Sequence, residues 1–183
     1  WLLDPYNIFI EASATTPNID SLTTPGTFEA IGDDAVLDVQ DVINALETGT
    51  SVTIVTGSSG LQDGNVTFNA AVTVDLTTHG PVTLTVQAAG AIVVNEAITA
   101  TSDSLTVNFT AGTTIQVSAQ IVTNGGNVTL ETSGGDIALL SEVNAGMGAV
   151  ALTATAGQIT GAGIASTSDV IAHQLTATSD GQQ

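Results

Sequence analysis

Between Pro81 and Ser166 apolar residues alternate with Thr, Ser, Asn or Gln in short runs, and the runs return at a fixed interval. Val82-Thr83-Leu84, Leu105-Thr106-Val107, Val128-Thr129-Leu130 and Val150-Ala151-Leu152 align with steps of 23, 23 and 22 residues. A second set of marks, Ile92, Ile115, Ile137 and Ile159, keeps the same beat, and a third, Ile98, Ile121, Val143 and Ile164, follows with steps of 23, 22 and 21. Within a run, Val82, Leu84 and Val86 share one side and Thr83 and Thr85 the other, which is the period of a strand. Three apolar marks per interval, separated by Gly-rich turns, predict a coil of about three short strands repeated along an axis.

The units lack the leucine and asparagine consensus of a leucine-rich repeat. The pattern therefore predicts an all-β chain, a right-handed parallel β-helix in which equivalent strands of successive coils pair. A lone coil leaves its two open faces uncovered and its backbone donors and acceptors unpaired, so it needs neighbours. About five or six coils are expected, and at ~4.8 Å each the regular part is roughly 24–30 Å long.

Residues 1–50 break the beat, and residues 51–183 carry it. Trp1 to Ile10 ends in strand-like alternation and is expected to cap the helix with its aromatics. Glu11 to Ala35, rich in Thr, Pro and Asp, reads as an irregular excursion with turns at Pro17, Pro25 and Gly26. Asp38 to Thr48 is the one helical stretch: Val39, Val42, Ile43 and Leu46 fall on one face, Asp38 can serve as N-cap, and Gly49 stands where a helix ends. Its apolar face should lie against the first coil. That coil, Ser51 to Gly80, is longer than the rest. Val52-Thr53-Ile54 matches Val82-Thr83-Leu84, and Val66 to Val72 matches Ile92 to Ile98, at separations of 30 and 26 residues. The extra residues fall in Gly57 to Gly64 and Val74 to Gly80, which should protrude. Asn69 over Asn95 would form a short amide ladder. The last stretch, Asp169 to Gln183, is a partial coil in which Val170 or Leu175 continues the first set of marks, and both ends look unfinished.

Composition narrows the function. The chain is 43% hydrophobic but 3% aromatic, so its core is Val, Ile, Leu and Ala. It has no Lys or Arg against 18 Asp and Glu, a formal charge of −18, which excludes nucleic acid as a partner because phosphate neutralisation needs cations. The same lack removes every cleavage site for trypsin-like proteases. Cysteine is absent, so no disulfide or thiol chemistry is available. No apolar run is long enough for a spanning helix, so membrane insertion is not expected. The chain opens on Trp1 with no charged and then apolar leader, so any signal peptide is expected to lie outside it.

The opening Trp1-Leu2-Leu3-Asp4-Pro5-Tyr6-Asn7-Ile8 resembles a motif of the filamentous-haemagglutinin-like adhesins, large exoproteins of bacterial two-partner secretion. There it lies within a long repetitive region and leads into a β-helix. The helix running into Gly49-Thr50-Ser51-Val52-Thr53-Ile54 is also similar to that family, with Ser51 where an Asn is usual. The resemblance implies a secreted, cell-surface, non-catalytic rod segment that presents binding loops to a receptor or glycan of a host or neighbouring cell. The family's amino-terminal secretion domain is not visible here. The competing expectation is a self-assembling extracellular filament whose open coils pair end to end.

Candidate chemistry is sparse. A polysaccharide-active β-helix enzyme would need an arginine base or facing carboxylates. Arginine is absent, and Asp136 and Glu142 are isolated turn residues. His79 and His173 are far apart and read as plain turn or surface residues. Glu29, Asp33 and Asp34 could hold calcium, although the plainer reading is a solvated acidic loop, and no calcium-loop spacing is present. No other cofactor is expected. Asn65, Asn108 and Asn127 open glycosylation triplets, which Val-Thr strands after a turn Asn also produce by composition. Some adhesins of the resembling family carry glycans at such triplets. An ice-binding face would need two unbroken Thr rows. The row Thr53, Thr83, Thr106, Thr129 meets Ala151.

Overall fold

The computed structural model describes residues 5–21, 23–57, 60–162 and 169–180. Along them come β1 (Ile8–Glu11), β2 (Ile19–Asp20), β3 (Thr27–Ala30), β4 (Ala35–Asp38) and the helix α1 (Val39–Glu47). Three strands per coil follow: β5 (Val52–Val55), β6 (Val66–Phe68) and β7 (Val72–Asp75), then β8 (Val82–Ala88), β9 (Ile92–Val94) and β10 (Ile98–Thr101). The next are β11 (Leu105–Ala111), β12 (Ile115–Val117) and β13 (Ile121–Val122), then β14 (Val128–Thr132), β15 (Ile137–Leu139) and β16 (Val143–Asn144). The last are β17 (Ala149–Ala154), β18 (Ile159–Gly161), β19 (Val170–Ile171) and β20 (Gln174–Ser179).

Three sheets run along one axis. The first orders β4-β1-β6-β9-β12-β15-β18, the second β2-β3-β5-β8-β11-β14-β17-β20, and the third β7-β10-β13-β16-β19. The chain is thus an all-β parallel β-solenoid with one short helix. It has about seven turns, more than the five or six expected, because residues before 51 also supply rungs. Ile92, Ile115, Ile137 and Ile159 stack as one column, the first three fully buried. The core is a single cluster running from Ile8 to Ala154, with Phe68 and Phe109 stacked inside it, their centroids 5.7 Å apart.

One rule organises the backbone bonds. An inward-facing residue gives its N–H to the following coil: Val66 to Ala91 O, Ile98 to Gln120 O, Leu105 to Thr123 O, Ile115 to Asp136 O. Outward-facing residues bond back to the coil before, as Thr53 N does to Gly26 O and Asn69 N to Ile10 O, so each coil is bonded on both sides.

In the second sheet the register departs from the expected alignment in two places, each by two residues. Val128 lies over Val107, a step of 21, and Leu84 lies over Val52, a step of 32. A two-residue slip keeps every side chain on its face, so the apolar pattern cannot detect it. The turns decide. Asn124 (φ 50°) and Gly125 (φ 97°) make a left-handed turn, and Gly126 follows so close to the coil before that an added Cβ would lie 2.1 Å from Leu105 O. In the third sheet Val143 pairs with Val170 and not with Ile164, which lies outside the described residues. The open choice at the last coil resolves to Leu175, which continues the first set over Val150, while Val170 belongs to the third sheet.

The amino-terminal half departs most from expectation. β1 is no end cap: it lies between β4 and β6 with Ile8 and Ile10 fully buried. The excursion Glu11 to Ala35 contains β2 and β3 and leads into β4. That end of the solenoid is closed on all three sides. β2 runs antiparallel on β3, Thr15 and Thr16 bond the edge of β4 (Oγ1 of each accepts, from Asp38 N at 2.9 Å and Val36 N at 3.0 Å), and α1 lies beside β7 where a third-sheet strand would stand. The helix is as expected: Asp38 accepts from Gln40 N at 2.9 Å, Gly49 has φ 81°, and Val42 and Leu46 are fully buried. A finished edge here reflects a physical need, since a bare coil presents unpaired backbone and apolar interior together.

Candidate functional site

The solenoid's corners hold most of the ordered polar side chains. Asn65 Oδ1 accepts from Ala91 N (2.7 Å), Asn127 Oδ1 from Ala149 N (2.9 Å) and Asp136 Oδ1 from Gln158 N (2.8 Å). Each ties its turn to the turn one coil on. Two of the three glycosylation triplets thus start at corner asparagines that carry part of the stacking, and Asn108 faces outward within β11 between Thr85 and Thr129. The expected amide ladder is present: Asn95 Nδ2 donates to Asn69 Oδ1 at 3.1 Å, and Asn69 Nδ2 to Glu11 Oε1 at 3.3 Å.

In the loop Gly57 to Gly64, expected to protrude, Leu61 is 86% exposed while Gln62 ties the loop to its neighbours; residues 58 and 59 lie outside the described residues. Gln62 Oε1 accepts from Asn7 N (2.8 Å) and Asp34 N (3.1 Å), its Nε2 donates to Asp34 Oδ1 (2.6 Å), and its own N–H donates to Pro5 O (3.1 Å). Four bonds from one side chain and its backbone hold β1 in place between β4 and β6. Gln62→Ala is expected to lower stability by about 1–2 kcal/mol, because two backbone donors lose their acceptor. A urea midpoint equal to that of the parent chain would show that water replaces the amide without cost.

The three calcium candidates do not converge on a ligand set. Asp34 lies in a left-handed turn (φ 51°) with its carboxylate engaged by Gln62, and Glu29 sits on β3 opposite Asp20 and beside Val55. Among the described residues no group of three or more His, Cys, Asp or Glu is placed to hold a metal ion. Asp136 and Glu142 remain turn residues, Glu142 accepting from Asn144 Nδ2 at 3.2 Å. His79 and His173 are exposed at turns. No helix among the described residues is long and apolar enough to cross a membrane.

Hydrogen bonds from its own turn and from the next coil converge on the Asp75 carboxylate. The Thr77 hydroxyl, then the Ser102 hydroxyl and the Thr77 N–H all donate to it and hold its carboxyl below the ordinary value of 3.8. A carboxylate with a depressed folded pKa contributes stability that is present above the unfolded value and lost as pH falls through the folded one. Acid titration of stability below pH ~3.9 should therefore be steeper in the parent chain than in Asp75→Asn, which keeps the acceptor oxygen and loses the charge. Superimposable acid limbs would mean that the turn owes nothing to the charge.

A concavity of about 420 Å³ lies on the outer face of the third sheet and is lined by Val122, Asn124, Gly125, Asn144, Gly146 and Met147. Met147 is 80% exposed, and Asn144 Oδ1 is taken by Gly146 N at 3.0 Å. Two turns one coil apart, Asn124-Gly125 and Asn144-Ala145-Gly146, build it; that repeated Asn and Gly is the sequence signal for the concavity. It offers amides and apolar surface. On the second sheet the outward row is Thr53, Thr85, Asn108, Thr129, Ala151, Thr176, so an ice-binding array is interrupted at Asn108 as well as Ala151.

No family model matches the chain, and neither a curated protein nor a solved structure shows significant similarity to it.

Proposed function

We propose that this chain is a non-catalytic shaft segment of a secreted, surface-attached filamentous adhesin of the two-partner-secretion type, a rigid rod that holds contact surfaces away from the cell. The observation that carries the reading is one unbroken core column shared by about seven turns, with short uncharged side chains on most outward positions. Such a column resists bending because every rung is bonded to two neighbours. The absence of Lys and Arg adds resistance to trypsin-like proteases outside a cell, and the tryptophan-led opening motif supplies the family likeness. The partner is a receptor or glycan on a host or neighbouring cell, met by an exposed turn such as that around Met147. The test is immunolabelling of intact producing cells with antibody to the chain, joined to binding of chain-coated beads to cells or a glycan array. Surface label with saturable bead binding supports the proposal; label only after lysis overturns it.

A further inference from the structure

We propose that the concavity on the third sheet is a binding site for a neutral saccharide, one uncharged sugar ring of a glycan. The inference rests on the reading of the Met147 turn as a contact surface and names the chemistry that it contacts. The site arises where two coils bring similar turns together: Asn124-Gly125, with φ 50° and 97°, and Asn144-Ala145-Gly146, where Gly146 has φ 55°. Its two glycines leave out the side chains that would fill it. A Cβ on Gly125 would meet nothing within 4 Å, and one on Gly146 would lie 3.6 Å from Gly125 N. The recess of about 420 Å³ is of small-ligand size, with Val122 and Met147 as its apolar lining and Asn124 and Asn144 as its polar lining.

Three features select a neutral sugar as the occupant. The first is the pairing of donor and acceptor. Asn124 is held by a single bond, Nδ2 to Asp103 O at 3.4 Å, and among the described residues nothing donates to its Oδ1 or accepts from Gly125 N. A hydroxyl can serve both groups, whereas an ammonium ligand would leave the Gly125 N–H without an acceptor. Asn144 is fixed on both sides, its Nδ2 donating to Glu142 Oε1 at 3.2 Å and its Oδ1 accepting from Gly146 N at 3.0 Å, so the recess is shaped before a ligand arrives. The second feature is apolar surface beside these amides. Met147 is 80% exposed, and Val122 faces outward one rung from Asn144. A sugar ring divides in the same way, into a C–H face and a hydroxyl edge, and a flexible thioether moulds to such a face. The third is charge. All six lining residues are uncharged, the Glu142 carboxylate is bonded to one of them, and the chain carries −18 with no Lys or Arg. A sialic acid, uronic acid or sulfated sugar would meet repulsion with no cation to offset it, which makes the site selective for neutral rings.

Met147 is the sole methionine, so a chain carrying isotopically methyl-labelled methionine gives one methyl signal, placed in the site itself. Titration with the methyl glycosides of glucose, galactose, mannose and N-acetylglucosamine, up to tens of millimolar, should move that signal saturably for at least one of them, at millimolar affinity. Glucuronic acid and N-acetylneuraminic acid should bind at least tenfold more weakly. Gly125→Asn introduces a side chain that tolerates positive φ and fills the recess, and it should abolish the shift. Met147→Ala, read by saturation transfer to the sugar protons, should weaken binding at least threefold with the melting temperature retained. A methyl signal unmoved by every neutral glycoside overturns the proposal, as does an acidic sugar bound as tightly as a neutral one, or binding indifferent to both substitutions. A silent methyl in a chain whose coated beads still bind cells removes this site and leaves the adhesin reading standing. A shifted methyl in a chain that labels only after lysis keeps the saccharide site and removes the adhesin reading.

Discussion

Gly112→Ala is expected to destabilise the chain by about 3 kcal/mol or more, with a fall in melting temperature of roughly 6–12 °C. Nothing in the local conformation of Gly112 demands glycine. What demands it is the coil before: a Cβ at 112 would lie 1.8 Å from Ala89 O and 2.8 Å from Ala89 C. Neither partner can retreat, because Gly112 N donates to Ala88 O at 3.0 Å and Thr113 N to Gly90 O at 3.1 Å, which locks the two turns together. Gly125→Ala is the contrasting case. There the backbone is left-handed (φ 97°) and nothing lies within 4 Å of the new methyl, so only local strain of ~1–2 kcal/mol is expected. Urea unfolding of both variants checks the pair. If Gly112→Ala proves the milder of the two, the turns are not stacked at this distance.

Phe109→Ala should cost about 3–5 kcal/mol, the range for emptying a buried aromatic site. Phe109 is fully buried on β11 and stacks on Phe68 from the first sheet, so its loss also strips contact from the partner ring. The narrow interior is bounded by three hydrogen-bonded sheets that cannot collapse inward without breaking rungs, which keeps the cavity open. Phe109→Leu should recover part of the loss. Thr110→Ala, one position along and facing outward, should stay within about 0.5 kcal/mol. Calorimetry and urea midpoints together read these differences. A small cost for Phe109→Ala would mean that the core is loosely packed and that the aromatic pair adds little.

Which features were legible follows from how each is encoded. The isoleucine column could be read directly, since identical apolar residues at one spacing must share an environment. The helix was legible because its face, its cap Asp38 and its terminator Gly49 are all local signals. The Asn69–Asn95 ladder followed from the alignment of β6 with β9, where turn lengths agree. The register of β14 on β11 was not legible: a slip of two conserves alternation, and only the bulk of the Asn124-Gly125-Gly126-Asn127 turn distinguishes the two settings. β1 misled for a similar reason. Its own residues announce a strand, but its place between β4 and β6 depends on Gln62, more than fifty residues away in sequence, and on backbone donors of Asn7 and Asp34 that no local pattern reveals.

For this protein, sequence alone determined the class of fold, because alternation and period are local properties. Tertiary structure decided everything that depends on which rung lies on which: the turn-controlled registers, the insertion of β1 between β4 and β6, and the packing of β2 on β3 and of α1 beside β7. Those choices rest on backbone bonds and steric contacts between coils, whose energies belong to pairs of distant residues and are not written in either one.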